Sequence, residues 1–299
     1  MAQILNVHKV NDYATYIGAP VLHPLVSVIH YDELEHCRNS LNRYDVYGMF
    51  LGDEVTEGLT YGMLNYDLAH HALMCVAPGQ IGGKADDGNE IQAKGWALLF
   101  DPELLHGTDL GRRISRYSYF SYNTSEALLM SEKERGIIVV LMERIRQELL
   151  EGNDDEHTSN IVVALLQLVL EYIGRFYARQ MSTSSSTTAD LLLRFENMLK
   201  RYYDNGIYQE QGLPTVKYCA RELFLSPNYF SDLMRQLTGE SARQAIRRYV
   251  MQRARELLIT GCSVQETAEN LGFEYPQHFT RMFKSYFGVP PTALRGKKT

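Results

Sequence analysis

Ala220-x-x-Leu223-x-x-Ser226-x-x-Tyr229-Phe230-x-x-Leu233-Met234-x-x-Leu237-x-Gly239 is the first half of a repeat. Its second half is Ala268-x-x-Leu271-Gly272-Phe273-x-Tyr275-x-x-His278-Phe279-x-x-Met282-Phe283-x-x-Tyr286-Phe287-Gly288. Ala220 and Leu223 map onto Ala268 and Leu271 at an offset of 48 residues, and Phe230 and Gly239 onto Phe279 and Gly288 at 49, so the turn gains one residue. Two copies in one chain imply two similar tasks side by side.

Each copy predicts two short helices and a tight turn. Thr215 is placed to cap a first helix that carries Val216, Ala220 and Leu223 inward. Ser226-Pro227 restarts the chain, because serine is a favoured N-cap and proline at the first helical position sacrifices no hydrogen bond. Phe230, Leu233, Met234 and Leu237 form one apolar stripe, and Gly239 stands where a helix ends in a left-handed turn. In the second copy Ser263-x-x-Glu266 is a capping box. Gly272 closes that helix, and Pro276 opens the next, with the stripe Phe279, Met282, Phe283 and Tyr286. Gly288 ends it and Pro290-Pro291 forbid continuation. This is a helix-turn-helix, twice.

A longer helix is predicted between the copies, from about Ala242 to Ile259. Ile246, Tyr249, Val250, Ala254, Leu257 and Leu258 make its apolar face, while Arg243, Arg247, Arg248, Arg253 and Arg255 point elsewhere. At about 1.5 Å per residue it spans roughly 27 Å. One turn of B-DNA is about 34 Å, so with the width of the packed helices two reading helices fit successive major grooves. A helical bundle with two similar hairpins would share the apolar stripes. The two copies, the arginine-rich connector and the spacing together favour DNA.

Residues 215–295 resemble the DNA-binding domain of AraC/XylS-type transcription regulators. The closest run is Gly272-Phe273-x-Tyr275-x-x-His278-Phe279-x-x-Met282-Phe283-Lys284-x-Tyr286-Phe287-Gly288-Val289-x-Pro291. The resemblance implies seven helices, two helix-turn-helices and a sensor domain elsewhere in the chain.

By position, the first reading helix presents Asn228, Ser231, Asp232 and Arg235, and the second Gln277, His278, Thr280, Arg281 and Lys284. Residues at the start of such a helix meet base edges and those further along meet phosphate. Base reading is therefore expected of Asn228, Ser231, Asp232, Gln277, His278 and Arg281. Glutamine suits adenine and arginine suits guanine. The resemblance implies base contact at the same positions, His278 apart. Ser231 and Asp232 depart from the longer polar or basic residues often found there in the family, and Asp232 accepts from cytosine N4 or organises Arg235. Phosphate contact is expected of Arg235, Arg247, Thr280, Lys284 and the backbone at Ser226. Tyr229 and Phe279 read as structural.

The net charge of −6 opposes DNA binding only while the chain is taken whole. From residue 186 onward there are 16 Lys/Arg and 11 Asp/Glu, a balance of +5; residues 1–185 hold 14 and 25, a balance of −11. Positive charge thus lies where phosphate would be met. Cys37, Cys75, Cys219 and Cys262 lack metal or disulfide spacing. No signal peptide is visible, and the apolar stretch Ile161–Leu170 is short for a bilayer.

Residues 20–125 read as short strands. Tyr44–Leu51, Leu59–Leu68, Ala72–Ala77 and Trp96–Phe100 are separated by Gly52-Asp53, Ala77-Pro78-Gly79, Gly82-Gly83, Asp86-Asp87-Gly88-Asn89 and Asp101-Pro102. A sandwich or barrel follows; the resemblance implies a cupin-like barrel that binds a small effector. Trp96, Tyr44, Tyr47, Tyr61 and Tyr66 are placed for an aromatic pocket or an ordinary core. Adjacent His70 and His71 point to opposite faces of a strand, and His23, His30, His36 and His106 are scattered, so no metal site is expected. Asp86-Asp87 and Glu132-Lys133-Glu134 read as solvated charges.

Ser131-x-x-Glu134 caps a helix with the stripe Ile138, Leu141, Ile145 and Leu149. A second helix, about Ser159 to Arg179, is apolar on nearly all sides and must be covered. The first helix and the barrel cover part of it and a second copy of the chain is the expected remainder, the alternative being that barrel and hairpin bury it all.

The fold class expected is α+β in two domains. Residues 1–180 form a cupin-like β-barrel followed by an αα dimerisation unit, 181–188 a Ser/Thr linker, and 189–299 an all-α tandem helix-turn-helix domain. The expected partners are double-stranded promoter DNA, a small-molecule effector (a sugar at the level of the family), a second copy in a homodimer, and RNA polymerase. No cofactor and no membrane are expected, and the protein is expected to be a cytoplasmic non-enzyme. The alternatives are a cupin-type metalloenzyme fused to a helical module and an effector-independent regulator.

Overall fold

A computed structural model describes residues 4–54, 56–61, 64–68, 71–151, 156–183 and 185–293, with the backbone alone for the strands between 56 and 68, for 124, 156 and 183, and for 185–189. The chain divides into two units, Met1–Gln180 and Met181–Thr299. The strands are β1 (Ile4–Val7), β2 (Val26–His30), β3 (Cys37–Arg38), β4 (Leu41–Tyr44), β5 (Tyr47–Gly52), β6 (Thr56–Tyr61), β7 (Leu64–Leu68), β8 (Ala72–Val76), β9 (Ile81–Gly83), β10 (Glu90–Ile91), β11 (Gly95–Phe100) and β12 (Leu128–Leu129). The helices of the first unit are α1 (Val10–Tyr16), α2 (Asp109–Arg113), α3 (Glu132–Glu151) and α4 (Glu156–Thr183).

One five-stranded sheet runs β1-β4-β9-β6-β7 and the other β12-β8-β5-β11-β2, with β3 and β10 a separate ribbon. Among the described residues only β1 and β4 pair in parallel. Among the described residues the two sheets stay open toward each other, so the expected closed barrel is corrected to a sheet pair. The expected strand Tyr44–Leu51 is two strands, broken at Asp45-Val46. Residues 102–126 carry α2 and short 3-10 turns in place of strands.

In β8 and β11 every side chain is buried. Met74, Val76, Ala97 and Leu99 join the core with Val7, Val10 and Tyr13. The alternate residues Leu73, Cys75, Trp96, Leu98 and Phe100 occupy the other face, against which α3 packs at β2 and β11. A sheet covered on both faces demands continuous apolar runs, which is how these strands read.

Ser131 caps α3 reciprocally with Glu134: the Ser131 N–H donates to Oε2 at 2.9 Å. The buried stripe is Ile138, Met142 and Ile145, with Leu141 and Leu149 half-buried. Arg135 grips Asp53 and Arg146 grips Glu33, each through two hydrogen bonds, tying α3 to the sheet. On α4, Val162, Leu166, Val169, Leu170, Ile173 and Phe176 are buried, while Ile161 and Leu168 are exposed, as is Val140 on α3. The stretch Ile161–Leu170 belongs to a longer helix than expected. By length and composition His157–Ser182 is apolar enough to cross a bilayer.

The hydroxyl-rich run expected as a linker is helical up to Thr183 and again from Ser185. The second unit contains α5 (Ser185–Asp204), α6 (Tyr208–Gln211), α7 (Val216–Glu222), α8 (Pro227–Thr238), α9 (Ala242–Ile259), α10 (Val264–Asn270) and α11 (Pro276–Phe287). These are seven α-helices among the described residues, around one core that includes Phe195, Tyr202, Phe230, Met234, Met251 and Phe283.

Candidate nucleic-acid interface

Thr215 and Ser226 cap α7 and α8 by accepting from the N–H groups of Tyr218 (3.1 Å) and Tyr229 (3.2 Å). Ser263 and Glu266 form the expected reciprocal cap of α10. Four residues separate α7 from α8 and five separate α10 from α11. That is the one-residue gain visible in the repeat. Gly239 and Gly288 end α8 and α11 in the left-handed conformation.

The two turns solve one geometric problem differently. Gly272 has φ +82, and a Cβ there would come within 2.6 Å of the carbonyl of Gly212. Its counterpart is Phe224, also left-handed at φ 61 and 84% exposed. An L-residue pays a steric penalty in that region.

Each expected stripe is buried at two positions, Phe230 and Met234 on α8, Phe279 and Phe283 on α11, while Leu233, Leu237 and Met282 are half-buried and Tyr286, expected in the second stripe, is exposed. Phe279 sits against Phe273 and Phe283, at 5.4 and 5.6 Å between ring centroids. The opposite face of α11 exposes Gln277, His278, Arg281 and Lys284, with Thr280 half-buried. On α8, Asn228 and Arg235 are exposed and Ser231 and Asp232 half-buried. Arg235 pairs with Asp232 at 3.2 Å, so the acid organises the base within its own helix. His278 meets Tyr275 edge-on at 5.4 Å.

Three residues expected at phosphate are engaged inside the domain. Ser226 is buried, and its hydroxyl serves the cap. The Thr280 hydroxyl donates to the carbonyl of Pro276 at 3.0 Å. Arg247 reaches from α9 to α11, where it donates to Ser285 Oγ at 3.1 Å and lies over the Tyr286 ring.

Helix α9 packs against α7, α8 and α10 and, through Arg247, reaches α11. It starts at a reciprocal cap between Ser241 and Gln244. That pattern was readable as Ser-x-x-Gln. Two contributions from α5 had no such signal: Phe195 packs on Phe230 of the first motif, and Tyr203 donates to the carbonyl of Leu271 in the second.

Among the described residues no three His, Cys, Asp or Glu side chains are grouped to hold a metal. His70 lies outside the described residues, as do the side chains of Tyr61 and Tyr66. His71 bonds Asp53 at 3.4 Å and Glu132 at 2.9 Å. Trp96 stacks on His30 and Tyr47 on Phe100. Burial pushes the Cys219 thiol up to about 12.

Two helix-turn-helices on one core, with polar reading faces outward, define a tandem helix-turn-helix domain. The helix-turn-helix domain family model matches residues 219–297. The uncharacterized transcriptional regulatory protein YesN of Bacillus subtilis is 36% identical over 98 residues, 31% of this chain and 27% of its own. The regulatory protein PocR of Salmonella typhimurium is 33% identical over 119 residues, 39% of this chain and 38% of its own. The chain thus spans well under half of these relatives. The C-terminal domain of the response regulator yesN from Fusobacterium nucleatum is similar at 24% identity and a TM-score of 0.29, over 33% of this chain and 95% of that one. Residues 219–297 are an AraC-type helix-turn-helix domain.

Proposed function

We propose that the protein is a sequence-specific DNA-binding transcription regulator, and not an enzyme. The observation that carries this reading is the pair of capped reading helices, α8 and α11, whose polar faces stay exposed on a core shared with α9. Asn228, Ser231, Gln277, His278 and Arg281 read base edges, and Arg235 and Lys284 meet phosphate. Asp232 orients Arg235. Arg247 braces α11, and Thr280 and Ser226 hold their helices, with phosphate reached at Ser226 only through the backbone.

The N-terminal unit, read as cupin-like, senses a small molecule. The exposed apolar residues Ile137, Val140, Ile161 and Leu168 support a homodimer through α3 and α4. A dimer would bring four reading helices to repeated half-sites, in the cytoplasm and within reach of RNA polymerase.

Selection of duplexes from a random library tests the reading. Enrichment of a motif with elements one helical turn apart, and affinity that falls linearly with salt on logarithmic axes, are the expected results. Retained DNA without an enriched sequence would overturn it.

A further inference from the structure

Helices α7, α8, α9 and α10 each begin at a Ser or Thr whose hydroxyl accepts a backbone N–H of the first turn. Helix α11 begins at Tyr275, whose side chain makes no such bond. Tyr275 stands where the first motif has Ser226, each followed by proline. The second motif thus forgoes a favoured cap and sets an aromatic ring, 48% exposed, at the start of its reading helix. Local stability argues for serine at this position, so the fold alone does not account for the ring.

The ring lies on the reading face. It meets His278 edge-on, at 5.4 Å between centroids and 68° between planes. Gln277, His278 and Arg281 are all exposed on that face. Pro276 keeps the residue before it out of the helical region, and Tyr275 is extended at φ −129 and ψ 124. Backbone and imidazole together restrict the ring, so little freedom is lost when a partner covers it.

What the ring offers is carbon. The Tyr275 hydroxyl faces the carboxylate of Glu274, which engages its proton. A phosphate likewise only accepts, and a carboxylate beside it adds repulsion, so this residue is poorly suited to the DNA backbone. Residues at the start of a reading helix reach base edges. Those edges carry one apolar group in the major groove, the C5-methyl of thymine. Gln277, His278 and Arg281 answer hydrogen-bonding groups, and the ring of Tyr275 answers the methyl.

We propose that Tyr275 is a specificity-determining residue of the second motif, which reads a thymine by packing its ring against the C5-methyl, with His278 as the residue that positions the ring. The proposal rests on the regulator reading and adds an apolar reader to its polar ones.

The test uses the full chain and the duplex that it selects from a random library. Each thymine is replaced in turn by deoxyuridine, which lacks only the methyl group. Wild-type affinity should fall about four-fold at one thymine of each element that α11 reads, the worth of one buried methyl group. Tyr275→Ser installs the cap that the other helices use. It should melt no lower than the wild type and bind the thymine and deoxyuridine duplexes alike at that position. Tyr275→Phe keeps the ring and should keep the difference. Should the serine variant not fold by circular dichroism, Tyr275→Ala takes its place. Indifference of the wild type to every replacement, a difference that survives in the serine or alanine variant, or one that vanishes in Tyr275→Phe would overturn the assignment. A selected motif without methyl dependence removes the role of Tyr275 alone, whereas failure to select any motif removes the regulator reading.

Discussion

Arg247 on α9 donates through Nη2 to Ser285 Oγ on α11, 3.1 Å away, and comes 3.4 Å from the carbonyl of Met282. The connector helix therefore holds the second reading helix by a side chain that the sequence placed at phosphate. The two roles separate experimentally. Arg247→Ala should lower the stability of the free protein by roughly 1–2 kcal/mol, the scale of hydrogen bonds from a charged group. It should weaken DNA binding with the salt slope unchanged. A slope reduced by about one, with melting temperature intact, would return Arg247 to phosphate.

Gly272 and Phe224 make a paired prediction. Gly272→Ala puts a Cβ against the Gly212 carbonyl at 2.6 Å in a left-handed residue. A loss of more than about 1–2 kcal/mol should follow, because left-handed strain and a backbone clash add. Phe224→Gly relieves the same strain at an exposed site and loses little burial. It should be neutral or stabilising by up to about 1 kcal/mol, since glycine's extra freedom in the unfolded chain offsets part of the gain. Denaturant titration of both variants decides. Equal losses would mean that Phe224 makes contacts that its exposure hides.

The helix-turn-helix half was legible because its signals are local. Ser226-Pro227, Ser263-x-x-Glu266, Gly239 and Gly288 fix helix ends through hydrogen bonds within a few residues, and the structure shows them so used. What joins the motifs was illegible for the opposite reason. Tyr203 meets Leu271 across 68 residues, and no periodicity encodes that meeting. In the N-terminal unit the long apolar runs of β8 and β11 announced burial but not sheet partners. The cavity between the sheets is lined by Tyr13, Tyr31 and Asn42, which converge from separate elements, together with Tyr44, which the sequence did single out. Trp96 proved to stack on His30.

The ion pair between Arg146 and Glu33 gives the first unit a pH signature. The Arg146 guanidinium holds the Glu33 carboxyl down to about 2, against an ordinary 4.5. A carboxyl depressed by folding adds stability that is present above 4.5 and fades as pH falls toward about 2. The group is half exposed, so the effect is modest. Thermal melts of the wild type and Arg146→Gln should differ by a constant amount above that window and converge below it. Divergence on acidification would reverse the sign and sink the assignment.

Arg281 separates reading from mere attachment. It is exposed on the first turns of α11, one helical turn beyond Gln277 and beside His278. Thr280 is committed to the helix backbone, so Arg281 is the long donor at this level that is free of that commitment. A bidentate contact to guanine is worth about 1–3 kcal/mol of discrimination. Arg281→Ala should therefore weaken specific binding by about that much and relax preference at one base position. Affinity across single-base variants of the selected motif is the measurement. Uniform weakening across all of them, with the salt slope reduced by about one, would make Arg281 a phosphate contact and move base recognition in the second motif to Gln277 and His278.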